Sequence, residues 1–498
     1  MLFIGENGKA QKNVLSFPFE FEKAYLQKKD YDAYFVADNS LDKIPFVLHD
    51  NKKAEYVMLN SDFKVESKFT TDIKKTVFNE FSEKYLGGAG LPGGNIFHFV
   101  YDVTIYKYYG ITSKTTHKYM VETVDFKSKS VSQKDLMEKP KDEDELLSFS
   151  NHGSFYFITT NDETSELIFY SLDGKGNVSK KNVPINIPEG KSKSRNKLSE
   201  YLSRTKLINE YEEVGLESST QFSKLFDYKD RLVLVVNDNA SPTHMISIEK
   251  SSFKTTEKFV DHSQISDMEG KDKTYVNSFL SGDKLFSLVL DKKNIQLAIY
   301  NATNGALLKK QEINEANIES APAKSPSTEE RKGKKISEKP VTDFSKLLKA
   351  LAKGTEGLAV TTNSQGQYVV TIGTYDPIAV ASGGGAGRTT FSSSPGSNSI
   401  ALSPGTYANY VPGTPIYTSG IANYYKSTSF KMILDPQNLN IAKGKLPESV
   451  NDQIKDYLDE ARGKWEARKQ FFKGDKQYYG YYDKNEEAYI IENIFISK

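Results

Sequence analysis

A recurring pattern of one aromatic residue and one apolar strand constrains this chain more than any other feature. In four segments an aromatic residue is followed six residues later by the start of an apolar strand, and each strand ends at Asp or Asn. A second strand then follows a short polar turn. In two segments an Asp-Gly or Asn-Gly turn, which accepts positive φ, leads to a further strand. The aromatic residues and strand starts are Phe149 and Phe155, Phe226 and Leu232, Phe279 and Leu285, and Phe472 and Tyr478.

These segments predict a β-meander of three or four strands over about 40 residues. Residues 31–69 and 96–132 fit the unit more loosely, and residues 357–374 and 427–446 together make one interrupted copy. The chain therefore holds about seven units. Because such a meander cannot bury both of its faces alone, the copies must pack on one another. We predict an all-β fold in which the sheets close into a ring.

This arrangement resembles the β-propeller superfamily, in which about four to eight sheets surround a central channel. The resemblance is architectural and covers most of the chain, and neither a Trp-Asp dipeptide nor a kelch double glycine assigns a named propeller family. It implies a single β-propeller domain over residues 12–498, with about seven blades and a range of six to eight. A strand near residues 14–21 is expected to complete the last blade and close the ring.

Five insertions are predicted within this domain. Residues 71–95 read as a helix followed by a Gly-rich loop, because Ile73, Val77, Phe81 and Tyr85 recur every four residues before Gly87. Helical spacing also predicts helices in residues 187–222 and 447–471, the latter amphipathic and containing the single Trp. Residues 315–354 read as a flexible Lys/Glu/Ser/Pro-rich linker followed by a short helix that begins at Asp343 and ends at Gly354.

The fifth insertion, residues 375–425, differs from the rest of the chain in composition. Between Asp376 and Lys426 the single charged residue is Arg388, although 26% of the whole chain is charged. An uncharged, aromatic and adaptable loop suits contact with another protein or with the wall of a membrane-embedded pore. The alternative is a disordered Gly/Ser loop. The predicted partner-binding residues are Tyr407, Tyr410, Tyr417, Tyr424 and Tyr425.

Composition and the N-terminus limit the cellular context. The 498 residues include no cysteine, so disulfides and thiolate metal sites are excluded. The 66 basic residues are balanced by 65 acidic residues, so the net charge does not point to a nucleic-acid partner. No apolar run of about 18 residues predicts a transmembrane helix. Residues 1–11 read as the remnant of an export signal or as a frayed terminus. We therefore expect an exported protein in the periplasm or at the outer membrane of a Gram-negative bacterium.

Catalytic and cofactor motifs are mostly missing from the sequence. The six histidines lack metal-site spacing, and no nucleophile elbow, EF-hand loop or P-loop occurs. Gly88, Gly90 and Gly93 match a dinucleotide-binding pattern, but the predicted helix precedes the glycines and the strand follows them, which is the wrong order. The sequence therefore predicts no catalytic residue, no metal and no cofactor.

Three functions fit this reading. The first is a non-catalytic subunit that docks on an outer-membrane protein complex such as a secretion translocon, where it would cover or plug the pore of a type IX-like system. The second is a carbohydrate-active or glycan-binding propeller, which would use paired carboxylates at the channel mouth. The third is a periplasmic sensor or assembly factor that reads peptides. The strand-end carboxylates considered for the second function, which are more typical of turns, are Asp162, Asp238, Asp291 and Asp483.

Overall fold

In a computed structural model, the chain is dominated by strands. The structure describes residues 12–19, 32–50, 52–73, 79–109, 112–138, 140–188, 197–209, 213–237, 242–263, 265, 275–290, 294–316, 323–332, 335–377, 424–443, 446, 465–474 and 476–493. Within these residues the strands form seven sheets of four or five strands each. We number the sheets by the position of their strands along the chain.

Three sheets contain the first half of the chain. Sheet 1 consists of β2 (Asp32–Phe35), β3 (Ile44–His49), β4 (Lys53–Leu59) and β5 (Val65–Asp72). Sheet 2 consists of β6 (Asn79–Gly90), β7 (Ile96–Tyr109), β8 (Thr112–Asp125) and β9 (Ser130–Glu138). Sheet 3 consists of β10 (Asp144–Asn151), β11 (Ser154–Asn161), β12 (Glu166–Leu172) and β13 (Val178–Pro184).

Two sheets follow in the middle of the chain. Sheet 4 has the spatial order of the chain and consists of β14 (Lys206–Asn209), β15 (Ser223–Asp227), β16 (Arg231–Val236), β17 (Thr243–Glu249) and β18 (Thr255–Val260). Sheet 5 consists of β19 (Tyr275–Ser281), β20 (Lys284–Leu290), β21 (Ile295–Asn301) and β22 (Leu307–Ile313). Two short helices, α1 (Leu198–Tyr201) and α2 (Leu216–Ser219), flank β14.

The last two sheets depart from simple chain order. Sheet 6 has the spatial order β24-β23-β27-β26-β25 and consists of β23 (Lys324–Lys332), β24 (Lys335–Pro340), β25 (Glu356–Thr362), β26 (Tyr368–Pro377) and β27 (Tyr424–Leu434). Helix α3 (Phe344–Lys353) lies between β24 and β25 in the chain. Sheet 7 has the order β28-β29-β30-β1 and consists of β28 (Trp465–Lys473), β29 (Lys476–Asp483), β30 (Ala488–Asn493) and β1 (Lys12–Pro18).

Antiparallel pairing of β1 with β30 joins the two ends of the chain in one sheet. This is the closing strand that the sequence predicted, and the succession of meander sheets that it closes confirms the predicted β-propeller. The neighbouring sheets pack through shared apolar cores. Phe17 of β1, for example, meets Phe46 of sheet 1 edge to face, with ring centroids 6.1 Å apart, and both lie in one buried cluster with β28 and β29.

The burial of each strand follows its place in the sheet. In sheet 5 the middle strands β20 and β21 are buried along nearly their whole length, whereas the outer strand β22 alternates between exposed and less exposed residues. A strand that is covered on both faces needs apolar residues throughout, while an outer strand needs them on one face only. This explains why the sequence pattern identified the middle strands most clearly.

The predicted helix in residues 71–95 is wrong, because residues 79–90 form β6, the innermost strand of sheet 2. A spacing of four residues is an even number, so it places side chains on one face of a strand as well as on one face of a helix. Pairing with the 14-residue β7 decides in favour of the strand.

The flexible linker predicted at the start of residues 315–354 is also wrong. Residues 324–332 and 335–340 form the antiparallel strands β23 and β24, which we call the β23–β24 hairpin, and β23 also pairs with β27, about 100 residues later in the chain. Its polar composition reflects its outer position in sheet 6, where little surface is buried. The helix predicted after it is confirmed as α3: Asp343 accepts a hydrogen bond from the Lys346 amide at 3.1 Å, and Gly354 ends the helix.

The other insertions were predicted in part. Residues 187–222 contain the short helices α1 and α2. The long helix expected there is not continuous, because residues 206–209 form the strand β14, which pairs in parallel with β15. In residues 447–471, the final part from Trp465 is not helical but belongs to β28, which pairs with β29. Residues 1–11, 378–423 and 447–464 lie outside the described residues.

We expect that Phe17→Ala lowers the free energy of unfolding by about 3–5 kcal/mol, because it removes a buried aromatic ring where sheet 7 meets sheet 1. Phe17 is 4% exposed. Urea denaturation followed by circular dichroism measures the change. Ser16→Ala, an exposed position in the same strand, is the matched control and should shift stability by less than about 0.5 kcal/mol. Equal stability of the two variants would show that β1 does not hold the ring closed.

Candidate interaction face

Strand direction divides the connections between two faces of the ring. We call the following strands innermost and count each sheet outward from them, leaving aside the added strand β14 of sheet 4: β2, β6, β10, β15, β19, β25 and β28. On this count the innermost and third strands of a sheet run one way, and the second and fourth run the other way, as the antiparallel pairs of sheet 3 illustrate. Short links such as residues 139–143 lead from the fourth strand of one sheet to the innermost strand of the next, so successive innermost strands run in the same direction. First-to-second and third-to-fourth turns thus lie on one face, the turn face. Second-to-third turns and the links between sheets lie on the other, the insertion face.

The long connections are concentrated on the insertion face. The strand ends that residues 185–222, 314–355 and 378–423 connect lie on this face, as does the start of β28, which follows residues 435–464. The turn face carries short turns, several of which place a glycine in the left-handed region, as Gly153, Gly282 and Gly474 do. The two faces therefore differ strongly in the amount of chain that they carry.

The described parts of residues 198–222, which we call the plug, begin with α1, whose buried residues pack in the core cluster between sheets 3 and 4. Strand β14 pairs in parallel with β15 on the side away from β16, which is the inner edge of sheet 4. Helix α2 then packs against β25 and β26 of sheet 6. The plug thus contacts sheets 3, 4 and 6 within a short stretch of chain.

A pair of glycines forms the seat of α2 on sheet 6. Gly357 and Gly373 face each other across β25 and β26. A Cβ atom on Gly357 would lie 2.9 Å from Ser219 Oγ and 3.1 Å from Leu216 Cδ2, and one on Gly373 would lie 2.9 Å from Leu216 Cδ1. Because a glycine inside a strand often marks the close approach of another segment, these two were a sequence signal that pattern analysis did not use.

Polar contacts fasten the plug to the innermost strands. Lys224, which is fully buried in β15, donates from Nζ to the backbone oxygen of Gln221 at 2.7 Å and to Asn277 Oδ1 at 2.9 Å. Asn277 in turn donates to the backbone oxygen of Glu356 at 2.9 Å. Three innermost strands are therefore linked, β15 to β19 between side chains and β19 to β25 from a side chain to a backbone oxygen. Burial lowers the pKa of Lys224 to about 7 and, together with the charge of Asp376, raises the pKa of Glu356 to about 7.

Two stacked tyrosines mark the neck, where residues 378–423 leave sheet 6. Tyr375 of β26 and Tyr425 of β27 have ring centroids 5.0 Å apart at an angle of 30°. Tyr425 donates its hydroxyl hydrogen to Glu329 of β23. Burial raises the pKa of Glu217 of the plug, and hydrogen bonding from Tyr375 opposes this rise. Burial, the Glu329 hydrogen bond and its charge raise the pKa of Tyr425. The neck is thus braced by a carboxylate on each side.

The structure describes one of the five predicted partner-binding side chains. Tyr425 is 8% exposed and belongs to the neck. Tyr424 lies in β27, while Tyr407, Tyr410 and Tyr417 lie outside the described residues. Their contact with a partner stays a prediction. Sequence analysis missed Tyr375, Glu217 and Glu329, because long-range pairing brings them together.

The six histidines lie apart from one another in strands and turns. His262 has both ring nitrogens in hydrogen bonds, to Thr243 at 2.8 Å and to Tyr300 at 3.0 Å, and burial lowers its pKa to about 4. His244 contacts Tyr201 at 2.9 Å and Glu257 at 3.1 Å. In the part of the chain that the structure describes, no group of three or more His, Asp or Glu residues is arranged to hold a metal ion.

Two other sequence features have structural roles. Asp162 accepts hydrogen bonds from the Ser199 amide at 2.8 Å and hydroxyl at 2.7 Å and so attaches α1 to the turn after β11. Asp483 accepts from the Asn485 amide at 2.8 Å and so stabilises the turn after β29. Asp238 and Asp291 lie outside the described residues. In the glycine pattern, Gly90 oxygen would lie 2.3 Å from a Cβ on Gly174, which shows that this loop packs closely on sheet 3.

No protein-family model and no curated protein matches the chain. Among solved structures, the WD40 domain of SCAP from fission yeast has 10% identity and a TM-score of 0.25, covering 97% of this chain and 99% of its own. The β-propeller domain of the Trilobed protease from Pyrococcus furiosus has 9% identity and a TM-score of 0.25, covering 85% and 96%. An ACO/RPE65 chimera has 9% identity and a TM-score of 0.26 over 58% of this chain, and the chain spans 63% of its length.

These similarities are low, so the fold assignment depends on the strand order and registers of the chain itself. As for membrane crossing, α3 is the longest helix within the described ranges, at 10 residues, and none there is long and apolar enough to span a bilayer.

We expect Glu356 and His262 to affect stability in opposite directions as the pH falls. Glu356 has a folded pKa of about 7, above its unfolded value of 4.5, so the folded state takes up this proton first and acidification through this window stabilises the fold. His262 has a folded pKa of about 4, below its unfolded value of 6.5, so the unfolded state takes up the proton first and acidification destabilises the fold. Each effect is on the order of 3 kcal/mol.

Urea denaturation at several values between about pH 7.5 and about pH 5 gives the slope of the free energy of unfolding against pH. This slope tests whether each group stabilises or destabilises the fold on acidification. Glu356→Gln should lose stability more steeply than the unmodified protein on acidification, and His262→Gln should lose it less steeply. Parallel slopes for all three proteins would contradict the burial of these groups.

Proposed function

We propose that this protein is a non-catalytic interaction scaffold that binds a protein partner through its insertion face. The observation that carries the proposal is the concentration of the long connections on one face of the ring, opposite a face of short turns. Binding segments are typically loops that a rigid scaffold positions. A closed ring of sheets with shared apolar cores supplies such a scaffold.

Residues 378–423 are the proposed main contact. They contain one charged residue, Arg388, so their burial against a partner carries a low desolvation cost. Tyrosine provides a large contact area at a low cost in side-chain entropy. The neck supports the same role, because Tyr375 and Tyr425 fix the two ends of this segment on the insertion face.

For the partner we propose an outer-membrane protein complex of a Gram-negative bacterium, such as a secretion translocon of the type IX kind, on which this chain acts as a pore-covering or plug subunit. Two features of the sequence support this proposal. Residues 8–11 are similar to the end of an export signal, and the uncharged aromatic segment suits the wall of a membrane-embedded pore. Export and periplasmic or outer-membrane location are part of the same proposal.

Photo-cross-linking in the native host tests the binding face. Tyr410→p-benzoyl-phenylalanine and Tyr417→p-benzoyl-phenylalanine should each give a covalent adduct with one outer-membrane barrel protein, which mass spectrometry identifies. The matched controls place the same residue at Ser252 and Thr303, which are exposed in third-to-fourth turns on the turn face. Adducts of equal yield from both faces would contradict the proposal, as would recovery of the native protein as a lone monomer.

Deletion of residues 379–420 tests the contact segment itself. The ring should stay folded, because β26 and β27 remain paired up to Pro377 and Tyr425 and a short turn can join them. The melting temperature should therefore change little, while association with the cross-linked partner should be lost. If the deleted protein still binds with unchanged affinity, the segment is a spacer and the binding face lies elsewhere on the ring.

A further inference from the structure

We propose that α2 of the plug positions the neck for partner binding. In this proposal α2 packs on Gly357 and Gly373 of sheet 6 and contacts the neck through Glu217. This inference rests on the proposed function and adds how the binding segment is held. It makes Gly357, Gly373 and Glu217 positioning residues. They act through the neck rather than by touching the partner.

The first step of the argument is the fit between α2 and sheet 6. Leu216 lies on the paired glycines, and its two methyl carbons come within 3.1 Å and 2.9 Å of the Cβ positions that Gly357 and Gly373 lack. Contacts below about 3.4 Å are tighter than nearly all real Cβ contacts. A Cβ at Gly357 would therefore force the side chains of Leu216, Ser219 and Thr220 to move, and we expect this to disturb the packing of α2 on the sheet.

The second step is the connection from α2 to the neck. Gly373, which Leu216 approaches, lies two residues before Tyr375 in β26. Glu217 follows Leu216 directly, and hydrogen bonding from Tyr375 opposes the rise in the pKa of Glu217 that burial causes. Tyr375 stacks on Tyr425, whose hydroxyl binds Glu329. A shift of α2 would thus be transmitted to both strands of the neck.

The third step is that the far end of the plug is fixed. Gln221 and Lys224 are joined by a hydrogen bond of 2.7 Å, and Lys224 also donates to Asn277 Oδ1 and to the backbone oxygen of Ser278 in sheet 5. Because this end cannot follow a displaced α2, strain at the glycine seat is expected to appear at the neck. The plug therefore connects three innermost strands with the neck.

Gly357→Ala is the decisive variant, because all three atoms closest to the added Cβ belong to the plug: Ser219 Oγ, Thr220 Cγ2 and Leu216 Cδ2. A relief variant combines it with Ser219→Ala and Thr220→Ser, which remove the two nearest atoms. Leu216→Ala tests the same seat from the side of the plug, and Ser218→Ala in the same helix is the matched control. Thermal unfolding verifies that each variant is folded.

The first readout needs no partner. The chain has no cysteine, so Ser203→Cys and Lys426→Cys, both at exposed positions, carry the sole spin labels, one on the plug and one at the neck. Pulsed electron paramagnetic resonance should give a narrow distance distribution that broadens in Gly357→Ala and Leu216→Ala and narrows again in the relief variant. An unchanged distribution in Gly357→Ala would overturn the inference.

The second readout is the yield of the partner adduct formed by Tyr410→p-benzoyl-phenylalanine. We expect Gly357→Ala to lower this yield about tenfold, which is the loss of affinity that the loss of one good hydrogen-bonded contact causes. The relief variant should restore the yield. A yield that stays unchanged while the distances broaden would overturn the positioning role and leave the proposed function intact. If the adduct is absent in the unmodified protein, the proposed function fails, and the inference fails with it.

Discussion

Antiparallel pairing between β1 and β30 is the contact on which the rest of the architecture depends. It places the first and last described strands in one sheet, and Phe17 extends that sheet into the core of its neighbour. Once both ends of the chain are fixed, each connection starts and ends on a fixed framework. Because the entropic cost of a loop grows only slowly with its length, such a framework tolerates long insertions.

Sheet 6 is the place where the chain departs from a plain succession of meanders. Its fourth strand, β23, comes before its innermost strand, and its second and third strands are separated by residues 378–423. This order brings the β23–β24 hairpin, α2 and the neck to one sheet. The carboxylates of Glu217 and Glu329, which stand on either side of the tyrosine pair, come from segments about 110 residues apart.

The buried polar groups have a structural meaning of their own. Lys224, Asn277 and Glu356 lie on three successive innermost strands and bind one another through side chains and backbone. These two hydrogen bonds fix how the three strands meet. The Glu356 Oε1 atom is buried without a hydrogen-bond partner in the described part of the chain, which agrees with the raised pKa of this carboxyl group. The pKa shifts in this network follow from burial more than from charge, since desolvation is the largest cause for both Lys224 and Glu356.

The sequence by itself determined the meander unit, the closing strand and helix α3. These depend on local information: the aromatic-to-strand spacing at Phe226 and Phe279, the turn residues, and the cap at Asp343. It also marked residues 378–423 as different by their lack of charge. Local signals fail where one pattern is compatible with two kinds of secondary structure. In β6, for example, the four-residue spacing of apolar residues fits a helix and a strand equally.

Only the tertiary structure decided the place of β23, the path of the plug and the composition of the neck. Each depends on pairing between segments that are distant in the chain, and the residues involved show no spacing that a local pattern can detect. Gly357 and Gly373 are the exception, because a glycine within a strand signals close approach, yet nothing in the sequence names α2 as the segment that approaches. The physical reason is that backbone hydrogen bonds form equally well between many pairs of strands. Which strands pair is decided by how well their side chains pack in the whole ring.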